Sequence, residues 1–261
     1  MKKKEGRYNI RAVERALRIL SVLSDAKPRT LTELSEKIEL NSSTTFRLLA
    51  TLVHHKYVER DKPSGSYKLS IGCLELAGAY LAGSDIRQLA LFVLERLRDD
   101  TKETVHLAVL DRMEVVYLEK FHGLHAIGIM SSQVGGRLPA YCTGLGKILL
   151  AYTDQESVRA HYERAGLHRY SEATILNLDE LIDHLRQARS RGYAFDKGEH
   201  EAEVRCVAAP VFNMHGKAVA AISVSGPAGR MEPLDKNLTL IEQIQEAART
   251  ISGRLGYRTN T

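Results

Sequence analysis

Residues 30–52 read TLTELSEKIELNSSTTFRLLATL, two short helices joined by a tight turn. In the first half Leu31, Leu34 and Ile38 recur at intervals of three and four, one face of a helix that Thr30 or Thr32 can cap. The second half opens at Asn41 or Ser42, both good caps, and sets Thr45, Leu48, Leu49 and Leu52 on an inward stripe. Ser43, Thr44, Arg47 and Thr51 are left outward, with Phe46 at the edge. Small hydroxyls and a guanidinium at the front of a short helix suit the major groove, where they meet phosphates and base edges. An ordinary helical hairpin has the same period, so the pattern alone leaves both readings open.

The flanks decide more. Upstream, Val13, Ala16, Leu17, Leu20 and Leu23 form a helical stripe that stops at the turn 25–29 with its Pro28. Downstream the period shortens: residues 57–60 and 66–69 read as strands around the Pro-Ser-Gly turn at 63–65. Three helices followed by a hairpin describe a winged helix-turn-helix, and Arg60, Lys62 and Lys68 charge the wing where backbone phosphates are in reach. The charge is also localised. Residues 1–70 carry 15 Lys and Arg against 8 Asp and Glu, a net of +7, which leaves 22 against 24 and a net of −2 for the rest of the chain. A basic segment on a mildly acidic body is expected where one domain meets a polyanion and the other need not. Lys2, Lys3 and Lys4 could be a solvated tail, but without them the segment is still at +4.

At 261 residues with 44% hydrophobic content the chain has room for two globular domains. No apolar run approaches the roughly 20 residues of a membrane span, and MKKKEGRYN lacks the apolar stretch of a signal peptide, so no membrane association and a cytoplasmic location are expected. The three cysteines, Cys73, Cys142 and Cys206, have no paired spacing and imply neither a disulfide framework nor a metal site. The expected domains are a winged helix-turn-helix over 1–70, a small-residue-rich linker helix over 71–84, and an α+β domain over 85–261. The linker helix either docks on its own domain or carries a contact with a second copy. The last domain opens with a helix over 86–102 whose apolar positions are Leu89, Phe92, Val93, Leu94 and Leu97. Strands follow over 103–110, 114–120 and 126–131, then a loop leading into a helix over 135–151 and helices over 156–165 and 178–191. Strands over 193–196, 205–212 and 218–225 and a closing helix over 234–255 complete it. Strands in neighbouring hairpins argue an antiparallel sheet, not a doubly wound one.

Two stretches could carry chemistry. Gly144, Gly146 and Lys147 suggest a phosphate loop, but Tyr141 and Ile148 stand where it needs a glycine and a Ser or Thr. What survives is a helix start with unpaired amides, a seat for a small carboxylate; glycine as simple packing is the alternative. In the second stretch Asp196 leaves one strand, Cys206 sits in the next, and Ser223 and Ser225 share a face of the third. On a cavity wall these groups would surround an organic acid. As enzyme parts they are unconvincing, because a Cys nucleophile wants a His base and His200 is near only in sequence, His106 only through folding. The run Glu199, His200, Glu201, Glu203 lacks metal-ligand spacing. No catalytic residue, metal or cofactor is expected.

The order of parts resembles an IclR-type bacterial transcriptional regulator over nearly all of residues 10–257. The resemblance rests on RAVERALRILSVLS, LTELSEKIELNSSTTFRLLATLVHHKYVER, YKLSIGCLELA, TKETVHLAVLD, GGRLPAYCTGLGKILLA, RGYAFDKGEHEAEVRCVAAPVF and AAISVSGPAGRM. TKETVHLAVLD and ISGRLGY are similar to the KdgR-like branch, which represses pectin and hexuronate breakdown. The resemblance implies a winged helix-turn-helix joined by a linker helix to a GAF-like effector-binding domain with an antiparallel sheet. It implies a homodimer or dimer of dimers on a double-stranded DNA operator, answering to a small organic acid or keto-sugar acid, and most simply a repressor of a catabolic operon. The effector residues it implies are Ile127, Met130, Leu138, Gly144, Leu145, Asp196, Cys206, Ser223 and Ser225. The candidate DNA contacts are Thr32, Asn41, Ser42, Ser43, Thr44, Thr45, Phe46, Arg47, Thr51, Arg60, Lys62 and Lys68, Thr45 being counted although the periodicity turns it inward. The chain departs from the pattern at Thr143 and Leu145, beside the glycines, and at Ser42 and Thr45, where a basic residue and a Val are frequent. A rival reading is a small-acid sensor or enzyme whose N-terminal domain recruits a protein partner.

Overall fold

Ile19 and Leu23 bury one side of α1 (Arg11–Leu23), with Ala16 and Leu20 packed beside them. Val13 and Leu17, expected on that stripe, are exposed instead and form a second apolar line with Ile10. Thr30 then opens α2 (Leu31–Lys37) through a reciprocal cap: its Oγ1 accepts from the Glu33 amide, and the Glu33 carboxylate accepts from the Thr30 amide at 2.7 Å. Asn41 caps α3 (Ser42–His54), accepting from the Thr44 amide at 2.8 Å. Strands β1 (Val58–Arg60) and β2 (Tyr67–Leu69) pair antiparallel around a turn that Asp61 closes by accepting from the Ser64 amide. Leu34, Ile38, Leu49, Leu52, Val58 and Tyr67 complete a core common to helices and wing. The linker helix α4 (Ile71–Ala82) is docked at its first turn, where the Gly72 amide donates to the Lys56 carbonyl and a Cβ at Gly72 would stand 2.8 Å from that oxygen. Beyond it Leu74, Leu76 and Tyr80 are exposed.

The computed structural model describes residues 9–124 and 130–258, and the chain divides between Gly83 and Ser84 into two compact units. The second unit opens with α5 (Asp85–Thr101), in which Leu94 and Leu97 are buried while Phe92 is exposed. It continues through β3 (Thr104–Asp111), β4 (Glu114–Phe121), β5 (Arg137–Pro139), α6 (Gly144–Ala151), α7 (Gln155–Ala165) and α8 (Leu178–Arg191). Then come β6 (Ala194–Asp196), β7 (Val204–Phe212), β8 (Ala218–Pro227), α9 (Ala228–Met231) and α10 (Leu238–Arg254). The sheet runs β5-β4-β3-β8-β7-β6, antiparallel throughout. It is an α+β domain with helices on both faces. Val105, Leu107, Val207, Ala209, Ile222 and Val224 face α5 and α10; the alternate residues Ala108, Cys206, Ala208 and Ala221 face α6 and its neighbours.

Two expectations change, and a third lies mainly outside the described residues. Residues 137–139 form an edge strand, too short for periodicity to reveal, and residues 140–142 a single 3-10 turn before α6. The closing helix is interrupted at Asn237, which caps α10 by accepting from the Leu240 amide. The strand expected over 126–131 falls mainly outside the described residues, and Met130 and Ser131 lie in irregular backbone. No described helix is long and apolar enough to cross a membrane.

Candidate ligand cavity and nucleic-acid interface

Sheet register assembles the cavity wall. Asp196, Cys206, Ser225 and Thr104 align across β6, β7, β8 and β3; the next row on the same face holds Ala194, Ala208, Ser223 and His106. The alanines leave room for the start of α6. A Cβ at Gly144 would stand 2.9 Å from Cys206 Sγ, and one at Gly146 would fall inside the backbone of Ala140. Both glycines are therefore required by close packing, and that packing is what brings the helix start against the polar stripe. Thr143 caps the helix by accepting from the Gly146 amide at 3.1 Å, and the Lys147 amide donates to the Thr143 carbonyl. Among the described residues the earlier amides, of Gly144 and Leu145, have no acceptor, and both residues line a cavity. Eight of the nine residues expected around a ligand line this one cavity: Met130, Leu138, Gly144, Leu145, Asp196, Cys206, Ser223 and Ser225. Ile127 lies outside the described residues.

The same cavity draws in His106, Tyr117, Ser132, Thr143, His200, Glu201 and Val204, which sequence reasoning did not select. His106 shares contacts with Ser223 Oγ at 3.3 Å and Ser132 Oγ at 2.9 Å, and its ring meets Tyr117 edge-on at 5.2 Å. Burial, with Lys120 and His122 nearby, pushes the imidazole down to about 3, so it is neutral. The Cys206 thiol is pushed up to about 12 by burial and by Asp196. The thiol and imidazole best suited to nucleophilic chemistry are thus both held uncharged. Asp196 is 6% exposed; its Oδ1 accepts from the amides of Gly198 and Glu199 at 3.0 and 2.7 Å. Burial, then the neighbouring Glu199, pushes its carboxyl up to about 7. Glu199 pairs with Lys147 inside the domain, so the Lys147 charge is already committed. Glu201 accepts from the Ser131 amide at 2.9 Å, and Lys120 donates to the carbonyls of Met130 and Ser132, holding residues 130–132 beside the cavity from two sides. Among the described residues no His, Cys, Asp or Glu group is arranged to hold a metal ion.

In the first unit, α3 presents Ser42, Ser43, Phe46, Arg47 and Thr51 to solvent, and Thr32 is exposed on α2. Arg47 makes no ion pair among the described residues, whereas the Thr51 hydroxyl donates back to the Arg47 carbonyl at 3.0 Å. Asn41 is exposed but its Oδ1 is taken by the cap, and Thr44 is half-buried. Thr45 corrects the expectation: it is 0% exposed and donates to the Asn41 carbonyl, so it packs α3 onto the core and offers nothing to DNA. On the wing Lys62 is exposed, Arg60 lies over the Tyr67 ring at 5.7 Å, and Lys68 pairs with Glu59 at 2.9 Å, which partly neutralises it.

A family model described as the IclR helix-turn-helix domain matches residues 12–62, and one described as the bacterial transcriptional regulator IclR C-terminal domain matches residues 78–253. The chain is 37% identical to the HTH-type transcriptional regulator XynR of Escherichia coli K12 over 250 residues, covering 95% of this chain and 98% of that one. It is 33% identical to the regulator KdgR of the same organism over 249 residues, covering 95% and 94%. Among solved structures it is similar to the IclR protein of Thermotoga maritima, with a TM-score of 0.74 at 30% identity over 95% of this chain and 100% of that one. A second neighbour is an IclR homolog of Microbacterium hydrocarbonoxydans complexed with 4-hydroxybenzoate, with a TM-score of 0.81 at 29% identity, covering 94% and 98%.

Proposed function

The chain belongs to the IclR family of bacterial transcriptional regulators, and on that premise we propose that it is a cytoplasmic repressor, without catalytic activity, that leaves its operator when a small organic acid or keto-sugar acid enters the Asp196 cavity. The observation that carries the reading is the pairing of an exposed, uncommitted Arg47 on α3 in one unit with a donor-lined cavity in the other. On DNA, α3 enters the major groove through Ser42, Ser43, Phe46, Arg47 and Thr51, while Arg60, Lys62 and Lys68 meet the backbone. In the cavity, the amides of Gly144 and Leu145 take the acid's carboxylate, the hydroxyls of Ser223 and Ser225 take hydroxyl or keto oxygens, and Asp196 and Glu201 take hydroxyls.

A second copy of the chain completes the assembly. Ile10 at the start of α1, Val13 and Leu17 on it, and Leu74, Leu76 and Tyr80 on α4 are more than half exposed. Apolar lines of this kind favour a two-fold partner, and a two-fold protein matches a pseudo-palindromic operator. Arg47→Ala tests the DNA contact. Loss of about 1–3 kcal/mol of operator affinity is expected, and unchanged affinity for the chain's own upstream DNA would remove α3 from the groove. Ser223→Ala should blunt release by the acid while DNA binding persists; intact release would remove the cavity from the response.

A further inference from the structure

The cavity that the proposed function assigns to an acid is itself acidic. Its described lining contains Asp196 and Glu201 but no lysine or arginine. The start of α6, where a ligand carboxylate would sit, lies against Asp196: a Cβ at Gly144 would stand 3.5 Å from the Asp196 amide nitrogen. We infer that, if the acid is seated as proposed above, this site takes up its ligand together with one proton, which resides on Asp196.

The groups facing Asp196 leave little choice. On its own loop Glu199 adds negative charge; the Lys147 ammonium of α6 is spent on Glu199, and that of Lys197, next in the chain, lies over the Phe195 ring at 5.7 Å. From β7 the Cys206 thiol is neutral; from the turn before α6 the Cys142 thiol is pushed up to about 12 by burial. From β3 His106 is neutral, and on β4 burial holds the Tyr117 phenol protonated. His184 of α8 is pushed down by burial and by Lys147. His200 is pushed down by burial, and Glu201 is engaged with Ser131. Lys120, on β4 outside the lining, is tied to two carbonyls. A second carboxylate placed here meets the situation of two acids sharing one site, where one must keep its proton. With Oδ1 occupied by two amides, the proton sits on Oδ2 and donates to the ligand. Already in the free site, burial places the Asp196 carboxyl near 7, so uptake is partial at neutral pH and approaches one proton per ligand above it.

The test is calorimetric titration of the full chain with galacturonate, gluconate, pyruvate and 4-hydroxybenzoate as separate probes, from about pH 6 to about pH 8.5, in two buffers of different ionisation heat. The expected result is a buffer-dependent heat corresponding to nearly one proton bound at the alkaline end, with affinity falling about tenfold per pH unit there. Asp196→Asn, whose amide imitates the protonated acid, should bind with a flat pH profile and no buffer dependence. Should that variant not fold, the wild-type buffer comparison decides alone. Binding with no proton uptake overturns the inference and leaves the acid reading standing. Failure of every probe at every pH overturns the acid reading, and the inference falls with it.

Discussion

Lys147 and Glu199 are both almost fully buried, and each is the other's only ionic partner among the described residues. Such pairs stabilise little when intact but leave an uncompensated charge when halved. Lys147→Met should therefore cost about 3–5 kcal/mol in denaturant unfolding, and Lys147→Met with Glu199→Gln should recover part of it. Gly146→Ala meets the Ala140 backbone and should destabilise by about 1–3 kcal/mol; a neutral result would mean that α6 can shift and that the glycine was not set by packing. Asp196 has the opposite sign from a paired carboxylate. Its carboxyl is raised in the folded state, so its contribution to stability is complete below the ordinary carboxylate range and is lost as pH rises to about 7. The melting temperature of the wild type should fall between about pH 5 and about pH 8 more steeply than that of Asp196→Asn.

At the scale of elements, the caps are separable from the surface they hold. Thr30→Ala removes the reciprocal bonds with Glu33 and should cost about 1 kcal/mol of stability, without changing which bases are read. On the wing, Lys62→Ala should weaken binding alike on all sequences and reduce the salt slope by about one. Most elements were legible in the sequence because they are long enough to show a pattern: α8 buries Leu181, Ile182, Leu185 and Ala188 at helical spacing, and β7 is an apolar run within one residue of its expected bounds. What escaped was either too short, like β5, or ambiguous in phase. The α1 helix carries apolar residues on two adjoining faces, and only packing tells Ile19 from Leu17. The cavity was half legible. Ser223 and Ser225 announce a polar face by alternation, whereas His106 joins them only through a strand pairing 117 residues apart in the chain. Glu201 enters by a loop contact with Ser131 that no local pattern encodes.

At the scale of the molecule, an acid bound in one unit acts on DNA held by the other only if it favours one arrangement of the assembly. Tight binding to both arrangements shifts nothing, and moving a population from almost all bound to almost all released takes about a 10⁴-fold preference. Proton uptake at Asp196 would tighten acid binding as pH falls towards about 7, and it adds to that preference only to the extent that one arrangement takes the proton more readily than the other. The charge division of the sequence, +7 on residues 1–70 and −2 on the remainder, predicts that salt acts on the DNA contact and pH on the cavity. The most direct measurement is retardation of the DNA upstream of the chain's own gene, repeated across salt and with the four acids. The account predicts a discrete complex that loses about a thousandfold or more in affinity between about 50 and about 200 mM salt and that at least one acid releases. A chain that forms no complex, or one indifferent to both salt and acids, would contradict it.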